Sequence, residues 1–185
     1  MTIRTFEDNT PRLGARVYID PHALVIGQVT IADDASLWPM VVARGDVQAI
    51  RIGAGSNIQD GSVLHVTQDN EFHPGGHALT IGARVTVGHN VILHACTIED
   101  LVLVGMGATV MDGALVRTRT IIGAGSLVPQ GKVLESGYLY LGCPVRQVRR
   151  LTDKEIAWLD ASAAHYIELK DRYLKNEERT RSAPR

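Results

Sequence analysis

The chain has 185 residues, with 19 Lys and Arg against 20 Asp and Glu and a formal charge of −1, so it carries no basic footprint for DNA, RNA or an anionic membrane surface. Its length suits one compact domain plus an appendage, and its 45% hydrophobic content is ordinary for a soluble protein. Aromatic residues make up only 5% while Gly reaches 18, a balance that suits a thin, regular core of stacked aliphatic layers.

Taken from the start, residues 1–14 read MTIRTFEDNTPRLG and lack the apolar stretch of a signal peptide. No run approaches the roughly eighteen apolar residues of a membrane span, so no membrane partner is expected. Two cysteines, Cys96 and Cys143, are too few for a disulfide framework. The expected compartment is the reducing cytoplasm.

From Ile26 onward, an aliphatic residue followed by Gly or another small or polar residue recurs at steps of six, sometimes five. Ile26-Gly27, Ile31-Ala32, Leu37-Trp38 and Val42-Ala43 open the series, and Ile52-Gly53, Ile58-Gln59 and Leu64-His65 follow. After a break come Ile81-Gly82, Val87-Gly88 and Leu93-His94, then Ile98, Val104-Gly105, Val110, Val116, Ile122-Gly123 and Val128. A period of six fits neither the helical period of about 3.6 nor the turn spacing of roughly 8–12 in a β-sandwich. It fits the hexapeptide repeat of a parallel β-helix, with three short strands to a triangular coil of roughly eighteen residues. Each aliphatic residue then points inward, and the Gly beside it permits a corner conformation. The expected fold class is mainly β, a parallel β-helix over 1–150 with an α-helix after it.

The segment 66–78, VTQDNEFHPGGHA, loses the repeat and carries the turn signal Pro74-Gly75-Gly76. Leu64 and Leu93 are 29 residues apart, one 18-residue coil plus an 11-residue insertion, so a loop is extruded at a corner and the two leucines stack on adjacent coils. The β-helix ends near Pro144. Thr152-Asp153-Lys154-Glu155 matches the T-x-x-E capping box that opens a helix. Ile156, Leu159, Ala163, Tyr166, Ile167, Lys170 and Tyr173 continue it at helical spacing. This amphipathic helix, 151–176, packs either on its own β-helix or on a neighbour's, and 177–185 form a charged tail.

His65 and His94 each follow an inward aliphatic residue, so alternation turns both outward on one face. Coils are about 4.8 Å apart, a spacing at which two imidazoles can share an ion at about 2.0–2.1 Å. His89, two residues past Val87, lies at the corner leading into that face and cannot easily converge with the pair within one chain. A neighbouring subunit's His89 can, and a three-fold ring is the economical closed assembly for a triangular prism. Spacing alone leaves two readings open, a shared metal site or ordinary surface histidines. His22, His73, His77 and His165 read as surface residues.

Arg44-Gly45-Asp46, Asn57-Ile58-Gln59-Asp60-Gly61, Leu64-His65 and His89-x4-His94 together resemble the γ-class carbonic anhydrases, and most closely the bacterial γ-carbonic-anhydrase-like branch of the hexapeptide-repeat proteins. The resemblance spans roughly Gly14 to Arg150. It implies a left-handed β-helix and a homotrimer, with Zn2+ or Fe2+ held by His65 and His94 of one subunit and His89 of the next. The implied activity is reversible hydration of CO2 to bicarbonate by a metal-bound hydroxide at the trimer interface. It also implies that Gln59 orients the reacting water, that Arg44, Asp46 and Asp60 form a charge network across the seam, and that Tyr140 lies near the metal. Read without the resemblance, Gln59 is a corner residue, the charges are surface ion pairs, and Tyr140 is a packing residue.

Two positions depart from the family prototype, which has glutamates where this chain has Val47, directly after Arg44-Gly45-Asp46, and Gln68, three residues after His65. Losing both carboxylates should slow proton release; Asp69, Glu71, His73 or His77 in the loop are the available substitutes. The alternative activities are a hexapeptide-repeat acyltransferase or thioesterase acting on acyl-CoA, and a metal-stabilised assembly module without turnover.

Overall fold

The computed structural model describes residues 2–182. It is a left-handed parallel β-helix with a single C-terminal α-helix. Three inward columns build its core, one for each face of the prism. The first runs Leu37, Ile58, Val87, Val104, Ile122, Tyr140. The second runs Val25, Ala43, Leu64, Leu93, Val110, Val128. The third runs Ile31, Ile52, Ile81, Ile98, Val116, Leu134. All of these side chains are buried. Parallel pairing sets inward residue over inward residue at each level, so mostly aliphatic side chains stack into one continuous core.

Two details of the repeat differ from the sequence reading. Val25 and Ala43 point inward on the second face, not Ile26 and Val42, which are half-buried. Neighbouring residues at both places are apolar, so alternation could not say which one faced the core. The Gly after each inward residue also serves differently. A Cβ on Gly53 would lie 2.4 Å from the backbone of Gly82 on the next coil, whereas the left-handed corner conformation falls two residues on, at Gly55 with φ +66°. Close approach of coils requires the first glycine and backbone conformation the second.

The second-to-third-face corner carries two irregularities. Gly27 pairs with Gly45 and Val29 with Ile50, so residues 46–49 bulge out opposite Gln28. One coil later the insertion 66–78 leaves the same corner, closed at its neck by reciprocal backbone hydrogen bonds between Thr67 and His77 of 3.0 and 2.9 Å. Gln48 of the bulge donates to Gly75 O of the loop at 3.1 Å. The far end of the prism is closed by an antiparallel hairpin, Tyr138–Gly142 against Val145–Arg150, in place of a further coil.

Helix α1, Asp153–Ser182, starts at the expected capping box: Glu155 N donates to Thr152 Oγ1 at 3.3 Å and Thr152 N donates to Glu155 Oε2 at 2.8 Å. It folds back over the first face of its own chain. Trp38 packs edge-on against Tyr166 and Tyr173, with ring centroids 5.7 and 5.1 Å away. Lys170 is fully buried and donates to Asp34 at 2.9 Å. The helix continues to Ser182, beyond the expected boundary at 176. Residues 177–182 read EERTRS, and the straight-chain Glu and Arg among them propagate a helix without an apolar stripe. The last part of the expected tail, 183–185, lies outside the described residues. Among the described residues no helix is long and apolar enough to cross a membrane.

Candidate metal centre

Alternation around Leu64 and Leu93 sends the next residue of each strand outward, and the strands Val63–His65 and Ile92–His94 pair with His65 opposite His94. Nδ1 of His65 faces Nε2 of His94 at 3.1 Å, with ring centroids 5.1 Å apart. Two nitrogens at tetrahedral zinc bond lengths stand roughly 3.3 Å from one another, so the pair has the spacing of two ligands to one ion.

Carboxylates hold the outer nitrogens. His65 Nε2 lies 3.1 Å from Asp46 Oδ1, and Arg44 binds the other Asp46 oxygen. His94 Nδ1 lies 2.7 Å from Asp112 Oδ1, and the Thr67 hydroxyl donates to Asp112 Oδ2. The bulge at 46–49 is what brings Asp46 to the ring. Partial burial acts to raise both carboxyl pKa values, but hydrogen bonds from Arg44 and His65 to Asp46, and from Thr67 and His94 to Asp112, outweigh it and leave both below the ordinary Asp value. Burial pushes His65 below its own ordinary value despite the opposing pull of Asp46.

Ionised carboxylates only accept hydrogen bonds. With both rings neutral, the ring nitrogens that face the carboxylates carry the hydrogens, and His65 Nδ1 and His94 Nε2 turn lone pairs toward each other. That arrangement is repulsive until a cation or a proton lies between them. A divalent ion fits the donor set: neutral imidazoles with carboxylates behind them are the usual surroundings of protein-bound zinc.

His89 stands apart from this pair. It is half-exposed at the preceding corner, with Nδ1 on Asp60 Oδ2 at 2.9 Å, which leaves Nε2 as its free nitrogen. Among the described residues, no three His, Cys, Asp or Glu side chains of one chain converge on a point that could hold an ion.

The remaining expected residues divide. Arg44 and Asp46 meet, but Asp60 serves His89 and does not join them within the chain. Gln59 is buried beside Asp60 and donates from Nε2 to Asn57 Oδ1 at 3.1 Å. Tyr140 is not brought to the histidines within the chain. It ends the first core column, three levels past Val87, and its hydroxyl accepts from Glu135 N at 2.8 Å and donates to Gln147 Oε1 at 3.1 Å, which is the packing role. Asp112 and Thr67 were not singled out from the sequence. Asp112 lies 18 residues past His94, one coil on, so the arithmetic that stacked Leu64 under Leu93 also points to it.

No family model matches the chain. It is 55% identical over 178 residues to Protein YrdA of Escherichia coli K12, covering 96% of this chain and 97% of that one. It is 41% identical over 171 residues to mitochondrial gamma carbonic anhydrase 1 of Arabidopsis thaliana, covering 91% of this chain but 61% of the plant protein. The crystal structure of a hexapeptide transferase family protein from Anaplasma phagocytophilum superposes with a TM-score of 0.86 at 39% identity, covering 93% of this chain and 98% of that one. Fold, motifs and similarity agree: the chain belongs to the hexapeptide-repeat, left-handed β-helix proteins and is related to the γ-carbonic-anhydrase and acetyltransferase members among them.

Proposed function

We propose that the chain forms a homotrimer in which His65 and His94 of one subunit and His89 of the next hold a zinc or ferrous ion, and that this site hydrates CO2 reversibly to bicarbonate. The observation that carries the reading is the facing of two ring nitrogens, His65 Nδ1 and His94 Nε2, 3.1 Å apart on adjacent coils. Exposed apolar side chains support a covered seam. Val63 and Ile92 stack two residues before the histidines in the same strands, and Met40 is exposed near the His89 corner. An ion held there by the three imidazoles would supply a water acidic enough to ionise near neutral pH. Around it, Asp46, Asp112 and Asp60 fix the three rings. Gln59 offers an amide beside Asp60 that can orient a reacting oxygen. Cys143 is an exposed free thiol, which suits a reducing compartment such as the cytoplasm.

A second reading is acyl transfer, or thioester hydrolysis, on acyl-CoA. The similarity to a hexapeptide transferase family protein over 93% of this chain and 98% of that one favours it, and the relatives' names back this reading better than CO2 hydration. The test is one preparation, purified without oxygen, assayed for metal content, CO2 hydration and acyl-CoA turnover. Zinc or iron near one ion per subunit together with CO2 hydration supports the first reading. Acyl-CoA turnover without CO2 hydration supports the second, and its survival of metal removal separates an acyltransferase from a metal-dependent thioesterase.

A further inference from the structure

We propose that Asp112, braced by the Thr67 hydroxyl, is a positioning residue that holds His94 in the tautomer whose Nε2 lone pair faces His65. The inference rests on the metal reading only for its consequence, since the geometry stands in the chain itself. His94 Nδ1 lies 2.7 Å from Asp112 Oδ1, and Thr67 Oγ1 donates to Asp112 Oδ2. Both carboxylate oxygens are thereby engaged, so the group cannot swing away without losing two hydrogen bonds at once. An imidazole has two tautomers, and a carboxylate behind one nitrogen selects between them.

The three residues come from successive levels of the stack. Thr67 lies two residues past His65, His94 on the next coil and Asp112 one coil further. Thr67 is also the neck of the inserted loop, joined to His77 by the backbone hydrogen bonds that close it. The hydroxyl thus ties the loop's root to the orientation of His94. His65 is held otherwise: its carboxylate, Asp46, is braced by Arg44, whose side chain is well exposed. The two histidines share one face but depend on separate supports, so disturbing Asp112 should affect His94 and leave His65 as it is.

The test uses the full-length protein with 15N-labelled histidine. In metal-free wild type, at a pH where the imidazole is neutral, NMR should show His94 protonated at Nδ1. Asp112→Ala should give a mixture of tautomers. Asp112→Asn should keep the wild-type tautomer, because its amide oxygen still accepts from Nδ1. Thr67→Val should loosen the preference while preserving side-chain shape. Zinc affinity, measured by competition with a chromophoric chelator, should fall about tenfold to a hundredfold in Asp112→Ala, with a smaller loss in Thr67→Val. Circular dichroism melts identify any variant that has lost its fold, and the isosteric Asn and Val variants carry the test in that case. An unchanged tautomer in Asp112→Ala overturns the proposal, as does zinc affinity within twofold of wild type. Wild-type protein that takes up no zinc while its tautomer still follows Asp112 overturns the metal reading and upholds the positioning role.

Discussion

The Nδ1 atom of His65 and the Nε2 atom of His94 stand 3.1 Å apart although 29 residues separate them in the chain. Each ring has its own carboxylate behind it, but two imidazoles do not complete a zinc site. If a neighbour's His89 is the third ligand, His89→Ala should reduce metal content as far as His65→Ala does. Elemental analysis of the purified variants decides it, and a full metal complement in His89→Ala would remove the seam model.

A third ligand from a neighbour would require assembly. Val63 and Ile92 are 39% and 45% exposed beside the histidines, and placing a charge on a covered apolar face carries a large desolvation cost. Ile92→Asp should therefore convert a trimer to monomers without unfolding the β-helix, whose core does not include this side chain. Light scattering on wild type should report a trimer at micromolar concentration. A wild-type monomer would leave His89 with no route to the other two ligands.

Much of this was legible from spacing. The interval from Leu64 to Leu93 resolves into one coil plus an insertion, and that alone aligns the two histidines. The bulge at 46–49 was less visible, although Ala43 and Ile52 are nine residues apart where Val25 and Ile31 are six apart. Period counting registers the delay but not which way an extra residue points, so the contact of Asp46 with His65 could not be read. The seat of helix α1 was equally undetermined, because an apolar stripe does not name its partner. The structure supplies the answer through the small outward residues Ser36, Asn57 and Thr86, which leave room on the first face. There Thr86 Oγ1 meets Ser162 Oγ of the helix at 3.1 Å.

Lys170 gives that seat an acid limit. Asp34 accepts from Arg16 and from buried Lys170, and these bonds lower its pKa to about 2, with the Arg16 hydrogen bond the largest cause. The unfolded value is about 3.9, so protonation favours the unfolded state. The stabilisation is complete above about pH 4 and is lost as pH falls from there through about 2. Trp38 fluorescence in a Trp158→Phe background should show the helix loosening across this window. Lys170→Ala should lower the melting temperature, and Lys170→Met should lower it less because it refills the volume; Asp34 keeps its pairing with Arg16 in both. Equal melting temperatures for Lys170→Ala and wild type would show that the buried amine does not secure the helix.

The last expectation concerns where a proton goes. Each CO2 converted to bicarbonate releases one, and a side chain must carry it to solvent. Val47 on the bulge and Gln68 at the loop's root are both exposed, and neither can accept a proton at neutral pH. Of the loop's carboxylates, Asp69 already uses Oδ1 to accept from Gly75 N at 2.8 Å, and releasing it would loosen the turn at Pro74-Gly75-Gly76. Glu71, His73 and His77 lie further along the inserted loop than position 68, with the two rings set edge to face at 5.9 Å. If the site hydrates CO2, proton export should therefore limit turnover. Imidazole added as a diffusible base should raise kcat with concentration until another step takes over. Gln68→Glu should raise kcat in weak buffer and flatten the buffer dependence, since general acid–base groups are commonly worth about 10²–10⁴-fold. His94→Ala is the control, because loss of one stacked ligand should abolish activity in every buffer. Measurable turnover that is flat across buffer concentration and unmoved by Gln68→Glu would show that proton export is not limiting. Absence of CO2 hydration in strong buffer with the metal complement filled would end the carbonic anhydrase reading. Acyl thioesters would then be the substrates to assay, because the chain is similar over nearly its whole length to a hexapeptide transferase family protein.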